Sequence, residues 1–430
     1  MNIIKYPQPN QWEEILRRPE IQSENLFGIV QQILDKVRTD KDKALFEFNE
    51  KFDGIRLDSL LVSDEEINEA TSKVSADLRQ AIQVAYQNIY KFHSAQKTEE
   101  PKIETMPGVY CWRKSIPIEK VGLYIPGGTA PLFSTVLMLA IPAQIAGCKE
   151  IILCTPPNKQ GEIAPAILYA AQMAGIKRIY KTGGAQAIAA MAYGTESIPK
   201  VYKIFGPGNQ YVTAAKQLVS LKEVAIDMPA GPSEVAVLAD ESANPAFVAA
   251  DLLSQAEHGI DSQVILVTTD EELISKVEEE IEKQLLALPR KEMTKKTLIN
   301  SKIILANSID EGMQIINAYA PEHLILEVKD YHQVANQVIN SGSVFLGSYT
   351  PESAGDYASG TNHTLPTNGH ARAYSGVSLD SFVRKTTFQE ITPSGLTLLG
   401  PVVEILAQNE ILDAHKNAVS IRLKTIQEKK

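Results

Sequence analysis

Cysteine is scarce. Cys111, Cys148 and Cys154 are the only three in 430 residues, too few and too unevenly spaced for a disulfide framework or a cysteine zinc cluster. They read as buried or incidental thiols. Long apolar runs are missing too: nothing approaches the roughly 18 uncharged residues of a membrane-spanning helix, and Met1-Asn2-Ile3-Ile4-Lys5-Tyr6-Pro7 lacks a basic stretch followed by an apolar one. A cytoplasmic protein that does not engage membranes is the expectation. Basic charge is in deficit, with 42 Lys and Arg against 52 Asp and Glu and a net charge of -10. Without a basic patch, that field repels phosphate backbones, so nucleic acid is not an expected partner. No G-x-G-x-x-G follows any predicted strand, so the ordinary dinucleotide fingerprint is absent as well.

What remains is globular: 44 % apolar and 22 % charged residues, on a chain long enough for at least two lobes. Residues from about 20 to 100 read as helical. Ile29, Ile33 and Val37 recur at helical spacing, and Ser63-Asp64-Glu65-Glu66 forms a capping box. The plainest reading of that region is a solvated amphipathic layer without chemistry. From Val121 onward, short β-rich runs alternate with helical segments, the signature of parallel sheets with helical crossovers. One series predicts strands at Val121 to Ile125, Ile151 to Thr155, Ile179 to Thr182, Val201 to Phe205 and Val224 to Ile226, with helices Ser134 to Ala146 and Gln186 to Tyr193 among them. A second predicts Val235 to Leu238, Val264 to Thr268, Ile303 to Leu305, Leu324 to Val328 and Val344 to Leu346. The expected fold is α/β, with two Rossmann-like lobes at residues 106–234 and 235–370. An N-terminal helical region (1–105) and a C-terminal helical tail (371–430) flank them. The two series match in rhythm and not in residue identity, so duplication is a hypothesis.

Several polar groups stand out. Asn244-Pro245 starts a helix and Gly259 stops one, predicting a helix over 245–258. Gln255 and His258, three apart in its last turn, could reach one metal ion, or the imidazole could simply cap the helix end. Asp356 sits among glycines in a polar loop spanning 347–370, where backbone and ligand can approach closely. His415 shares a predicted helical face with Ile411 and Val419, as a core histidine or as a ligand. Glu322-His323 follows Ala320-Pro321 at a strand entrance, where an acid and an imidazole could share general-base work. His363 lies in a polar loop, where solvation is the ordinary outcome. Ile226 to Glu234 joins the lobes as a hinge or substrate-facing elbow, or as a rigid linker. Glycine turns after the strands at Gly127, Gly183 and Gly206 could still receive a cofactor at the strands' carboxyl ends.

Taken in order, Val121-Gly-Leu-Tyr-Ile-Pro-Gly-Gly128, Gly183 to Ala187, Phe205-Gly-Pro-Gly-Asn209, Ile226 to Glu234, Asp251 to Gly259, Ala320 to His323 and Gly355-Asp356 closely resemble the histidinol dehydrogenase family over nearly the whole chain. The resemblance implies a zinc enzyme of histidine biosynthesis, with one Zn2+ per subunit. It would oxidise L-histidinol through an aldehyde to L-histidine with two NAD. It assigns the zinc ligands to Gln255, His258, Asp356 and His415 and the catalytic acid and imidazole to Glu322 and His323. Substrate contacts fall on Ser233, His363 and Glu410 besides His323 and the ligands, and NAD contacts on Tyr124, Gln186 and Asn209. It further implies a homodimer in which each active site borrows the partner's tail, with Glu410 and His415. The rival readings are an aldehyde dehydrogenase-like enzyme with a cysteine nucleophile and a non-catalytic metal- or metabolite-binding protein.

Overall fold

The computed structural model describes residues 1–19, 25–127, 131–229 and 231–429. Gly128 and Ala230, both in motifs noted above, lie outside the described residues. By contacts the chain forms two compact units, one from residues 1–96 and 118–382, the other from 97–117 and 383–430.

The first unit holds two parallel sheets. Strands Lys120–Tyr124, Glu150–Thr155, Arg178–Lys181, Lys203–Phe205 and Ala225–Ile226 make one sheet, ordered third, second, first, fourth, fifth. Strands Glu234–Ala239, Gln263–Thr268, Lys302–Leu305, His323–Glu327 and Ser343–Leu346 repeat that order in the other. Residues such as Val235-Ala-Val-Leu238 are buried on both faces, which is why the central strands read as unbroken apolar runs rather than alternating ones. The Phe133–Ala146 helix is apolar all round for the same reason. The second sheet gains a sixth strand, Asn2–Lys5, parallel to Lys302–Leu305. With four residues and no alternation, it left no readable trace in sequence.

The N-terminal region carries helices Leu26–Asp40, Asp42–Phe48, Asp64–Lys73 and Ala76–Ser94. Ser63 and Glu66 close the expected capping box, with Glu66 N–H donating to Ser63 Oγ at 3.2 Å and Ser63 N–H to Glu66 Oε2 at 3.0 Å. The lobe connector is pinned: Lys216 Nζ lies 2.5 Å from Asp227 Oδ1 in a buried ion pair, and Gly206 N–H donates to Asp227 Oδ2 at 2.8 Å. That holds the start of the connector rigid.

In the second unit, Ile103–Met106, Val109–Pro117 and Val383–Ile391 form an antiparallel sheet, and helices Pro393–Asn409 and Asp413–Glu428 pack on each other. The segment expected as a helical tail over 371–430 therefore contains a strand. Its partner lies far back in the chain, and such pairing leaves no local signal. Gly400 lets the two helices close in, since a Cβ there would stand 2.8 Å from Leu423 Cδ1.

Candidate active site

In the first lobe the groove is built at the strands' carboxyl ends. Tyr124, Thr155, Gly184, Gln186 and Asn209 line a cavity of about 840 Å3. Gly206 has φ of +127°, and a Cβ there would meet the Tyr124 carbonyl at 2.0 Å, so only glycine lets these two loops close. Gly184 N–H donates to Tyr124 Oη at 3.1 Å. Asn209 caps the Gln210–Ser220 helix, its Oδ1 accepting from Tyr211 and Val212 N–H groups at 3.1 and 3.2 Å. That helix and Gly184–Tyr193 both start at the groove, so two positive dipole ends face it, a setting suited to an anionic dinucleotide. The N-terminal helices are not a bare solvated layer, because Ile29, Ile33, Phe52 and Asp53 form the opposite wall. Buried, partnerless Asp53 Oδ2, Thr155 Oγ1 and Thr182 Oγ1 gather in this end of the lobe.

In the second lobe the polar groups collect at the opposite, amino ends of the strands. Glu322 precedes and His323 begins the His323–Glu327 strand, beside the start of Glu234–Ala239. The Pro245–Ala256 helix, started by Asn244 Oδ1 accepting from Ala246 N–H, runs back and delivers Gln255 there. It stops two residues earlier than expected: Glu257 is its C-cap, and His258 stands beyond it. Asp356 is on a short helix, Glu352–Tyr357, inside the segment expected to be loop. Gly355 seats that helix, for a Cβ there would meet the Phe345 ring at 2.6 Å.

His323 Nδ1 faces the Glu234 carbonyl at 3.1 Å and Gln255 Nε2 at 2.9 Å. Its Nε2 lies 3.4 Å from Asp356 Oδ1. Glu322 Oε2 accepts from Glu234 N–H at 2.9 Å and lies 3.6 Å from His323 Nδ1. Burial opposes the imidazolium, but the carboxylates of Glu322, Glu352 and Asp356 outweigh it and push His323 up to about 10. Burial also pushes Glu322 up to about 8, against the pull of His323. His363 is half-buried rather than solvated. Its Nδ1–H donates to the Asp356 carbonyl at 2.8 Å and its Nε2 meets Thr135 Oγ1 at 3.1 Å.

Donor atoms of His258, Asp356 and Glu352 lie within 4.8 Å of one another. Glu352 carried no mark in the sequence beyond standing one helical turn before Asp356, yet it is 1 % exposed and burial pushes it up to about 8. His258 is solvent-exposed in the single chain, but surrounding protein desolvates its ring enough to lower it. Burial raises Asp356 while His323, His363 and His258 pull it below the usual carboxylate range, and the histidines prevail. Gln255 Oε1 and Glu352 Oε2 are buried without a hydrogen-bond partner. Orphaned oxygens beside an imidazole and a second carboxylate are the donor set of a divalent cation, and these residues fit one.

Ser233 is half-buried next to Glu234. Glu410 and His415 belong to the second unit and are exposed. Glu410 caps the Pro393–Asn409 helix, and Ile411 adopts φ of +60° outside either helix, so the expected face shared by Ile411 and His415 does not form. Two of the three cysteines are poor nucleophile candidates, since burial raises the Cys148 and Cys154 thiols, the reverse of activation, and Cys111 lies on the Val109–Pro117 strand of the second unit. No helix of the described residues is long and apolar enough to cross a membrane.

A sequence model of the family described as histidinol dehydrogenase matches residues 16–423. Histidinol dehydrogenase of Bacteroides thetaiotaomicron is 65 % identical over 426 residues, covering 99 % of this chain and all of the relative. The chloroplastic histidinol dehydrogenase of Arabidopsis thaliana is 53 % identical, covering 98 % of this chain and 90 % of the relative. The crystal structure of histidinol dehydrogenase from Elizabethkingia anophelis superposes with a TM-score of 0.97 at 56 % identity, covering 99 % of both chains.

Proposed function

The chain belongs to the histidinol dehydrogenase family, oxidoreductases of histidine biosynthesis, and from that premise we propose that it carries out the full zinc-dependent, four-electron oxidation of L-histidinol to L-histidine with two NAD. The observation that carries the reading is the convergence of Glu322, His323 and the orphaned donors of Gln255 and Glu352 at one end of one sheet. Gln255, His258 and Asp356 would hold zinc, with His415 of a second copy completing the set. Bound there, zinc would chelate the substrate's imidazole and amine, orient the reacting carbon, and offset the carboxylates that otherwise keep His323 protonated. NAD in the first-lobe groove, against Tyr124, Gln186 and Asn209, would accept the two hydrides.

His323 takes the hydroxyl proton as the first hydride leaves carbon, giving the aldehyde. Glu322 removes a proton from water as its oxygen adds to that aldehyde, and His323 returns its proton to the former carbonyl oxygen, giving the hydrate and a neutral imidazole. His323 then takes a hydroxyl proton from the hydrate as the second hydride leaves, giving the acid. The balance is one alcohol and one water in, one carboxylic acid, two hydrides and two protons out. Ser233, His363 and the second copy's Glu410 would fix the polar ends of the substrate.

A homodimer is part of this reading, and the second unit supports it. Its helices leave Leu398, Val402, Ile405 and Leu406 at least half exposed in the single chain, an apolar face suited to a self-complementary partner. A cytoplasmic setting suits an enzyme drawing on NAD. The test is NADH formation from L-histidinol by purified protein before and after chelation, with light scattering for mass. Chelator-insensitive turnover, or a fully active monomer, is the result that defeats this reading.

A further inference from the structure

Glu322 and His323 are gripped from both sides by groups that no assignment above includes. Glu234 is the hub. Its N–H donates to Glu322 Oε2 at 2.9 Å, and its carbonyl faces His323 Nδ1 at 3.1 Å and Gln255 Nε2 at 3.3 Å. One residue's backbone therefore sets the carboxylate, the imidazole and a metal-site amide together. Its own side chain is buried and needs a counter-charge. Arg18 supplies it. Nε and Nη2 of Arg18 donate to Glu234 Oε1 and Oε2 at 2.5 and 2.8 Å, a bidentate fork that only guanidinium can make. Asn368 N–H adds a further bond to Glu234 Oε1 at 2.8 Å.

Arg18 also reaches the other flank. Its Nη2 donates to the carbonyls of Tyr319 and Ala320 at 2.8 and 3.4 Å, and the guanidinium lies 4.1 Å over the Tyr319 ring. Ala320 is in the left-handed region, φ +55°, immediately before Pro321-Glu322-His323. A non-glycine residue persists there only when its surroundings hold it. The same cation thus braces the strained turn that delivers the catalytic pair and the strand start that receives it.

We propose that Arg18 is a positioning residue for the reaction, fixing Glu322 and His323 through Glu234 and the Ala320 turn without touching substrate. The inference rests on the proposed roles of Glu322 and His323. Sub-ångström placement is worth about 10²-fold in rate, so Arg18→Ala should lower kcat by about that factor while both KM values move less than about threefold. Arg18→Lys, which reaches one carboxylate oxygen only, should lose about tenfold.

Arg18 lines a cavity of about 860 Å3, so a small cation can enter where its side chain is removed. The experiment measures kcat and both KM values for Arg18→Ala, Arg18→Lys and His323→Asn, bound zinc by mass spectrometry, and rescue of Arg18→Ala by methylguanidinium against methylammonium at equal ionic strength. Loss of kcat with zinc content and KM retained, restored at least severalfold by methylguanidinium only, is expected. Wild-type kcat in Arg18→Ala, or an unfolded Arg18→Ala beside an Arg18→Lys with wild-type kcat, overturns the proposal. A fall in activity that follows the folded fraction alone and resists methylguanidinium does the same. Wild-type turnover in His323→Asn removes the reading on which the proposal stands, so the two failures are told apart.

Discussion

The two lobes share one strand order and use opposite ends of it. In the first, the partnerless polar atoms and the glycine turns stand at the carboxyl ends of the strands, where open α/β sheets ordinarily receive ligands. In the second, the carboxyl ends are closed by their own loops: Asp240 accepts from Ser242 and Lys329 N–H groups at 2.9 Å, and Ser348 Oγ–H donates to Glu327 at 2.8 Å. Among the described residues, the partnerless oxygens of Gln255 and Glu352 gather beside His323 at the amino end of its strand, one delivered by the last turn of a helix and one by the first turn of another. The difference teaches that a shared strand order does not by itself decide at which end polar side chains collect. Side-chain chemistry can be assembled at whichever end the returning helices reach.

If the lobes divide cofactor from chemistry, damage to one should leave the other's binding intact. His323→Asn should lower kcat by about 10³-fold, within the usual span for a general base, with NAD affinity unchanged by fluorescence titration. A parallel loss of NAD binding would break the division. Gly206→Ala should do the reverse. Its Cβ collides with the Tyr124 carbonyl and its φ is strained, so the KM for NAD should rise by tens of fold, order-of-magnitude, while zinc content stays constant. Glu352→Gln should weaken zinc by about 10- to 100-fold, read by competition with a chromophoric chelator, and leave NAD affinity alone. The smallest effect concerns Asp53. Burial raises it to about 6 from 3.8, so the native state favours its protonated form. Its contribution to stability is complete below about pH 4 and is lost as pH rises through about 6. Asp53→Asn should flatten the stability profile across that window, with Tm at pH 7 above the parent by on the order of 2 °C. An unchanged slope would show that the groove wall solvates Asp53 after all.

The doubly repeated α/β rhythm was legible because central strands, buried on both faces, write their burial as apolar runs. All ten predicted strands of the two lobes are found, within a residue or two of their expected ends. Gln255, His258, Glu322, His323, Asp356 and His363 could be named from motif order, and the structure brings them together. Glu352, Glu234 and Arg18 could not, because each is defined by what packs against it. A buried carboxylate looks in sequence like any solvated one, and Arg18 meets Glu234 only through tertiary folding. Strand Val383–Ile391 escaped notice for a related reason: it has exposed, charged faces and pairs with Val109–Pro117, distant along the chain.

That pairing also sets a timetable. The segment from Ile103 to Pro117 leaves the ribosome early, but its partner strand is made only after the whole of the first unit's remaining sequence. Until then the hairpin keeps an unsatisfied edge. The second unit is therefore the last part of the molecule able to close, and truncation anywhere before Val383 would release a chain with that edge still open.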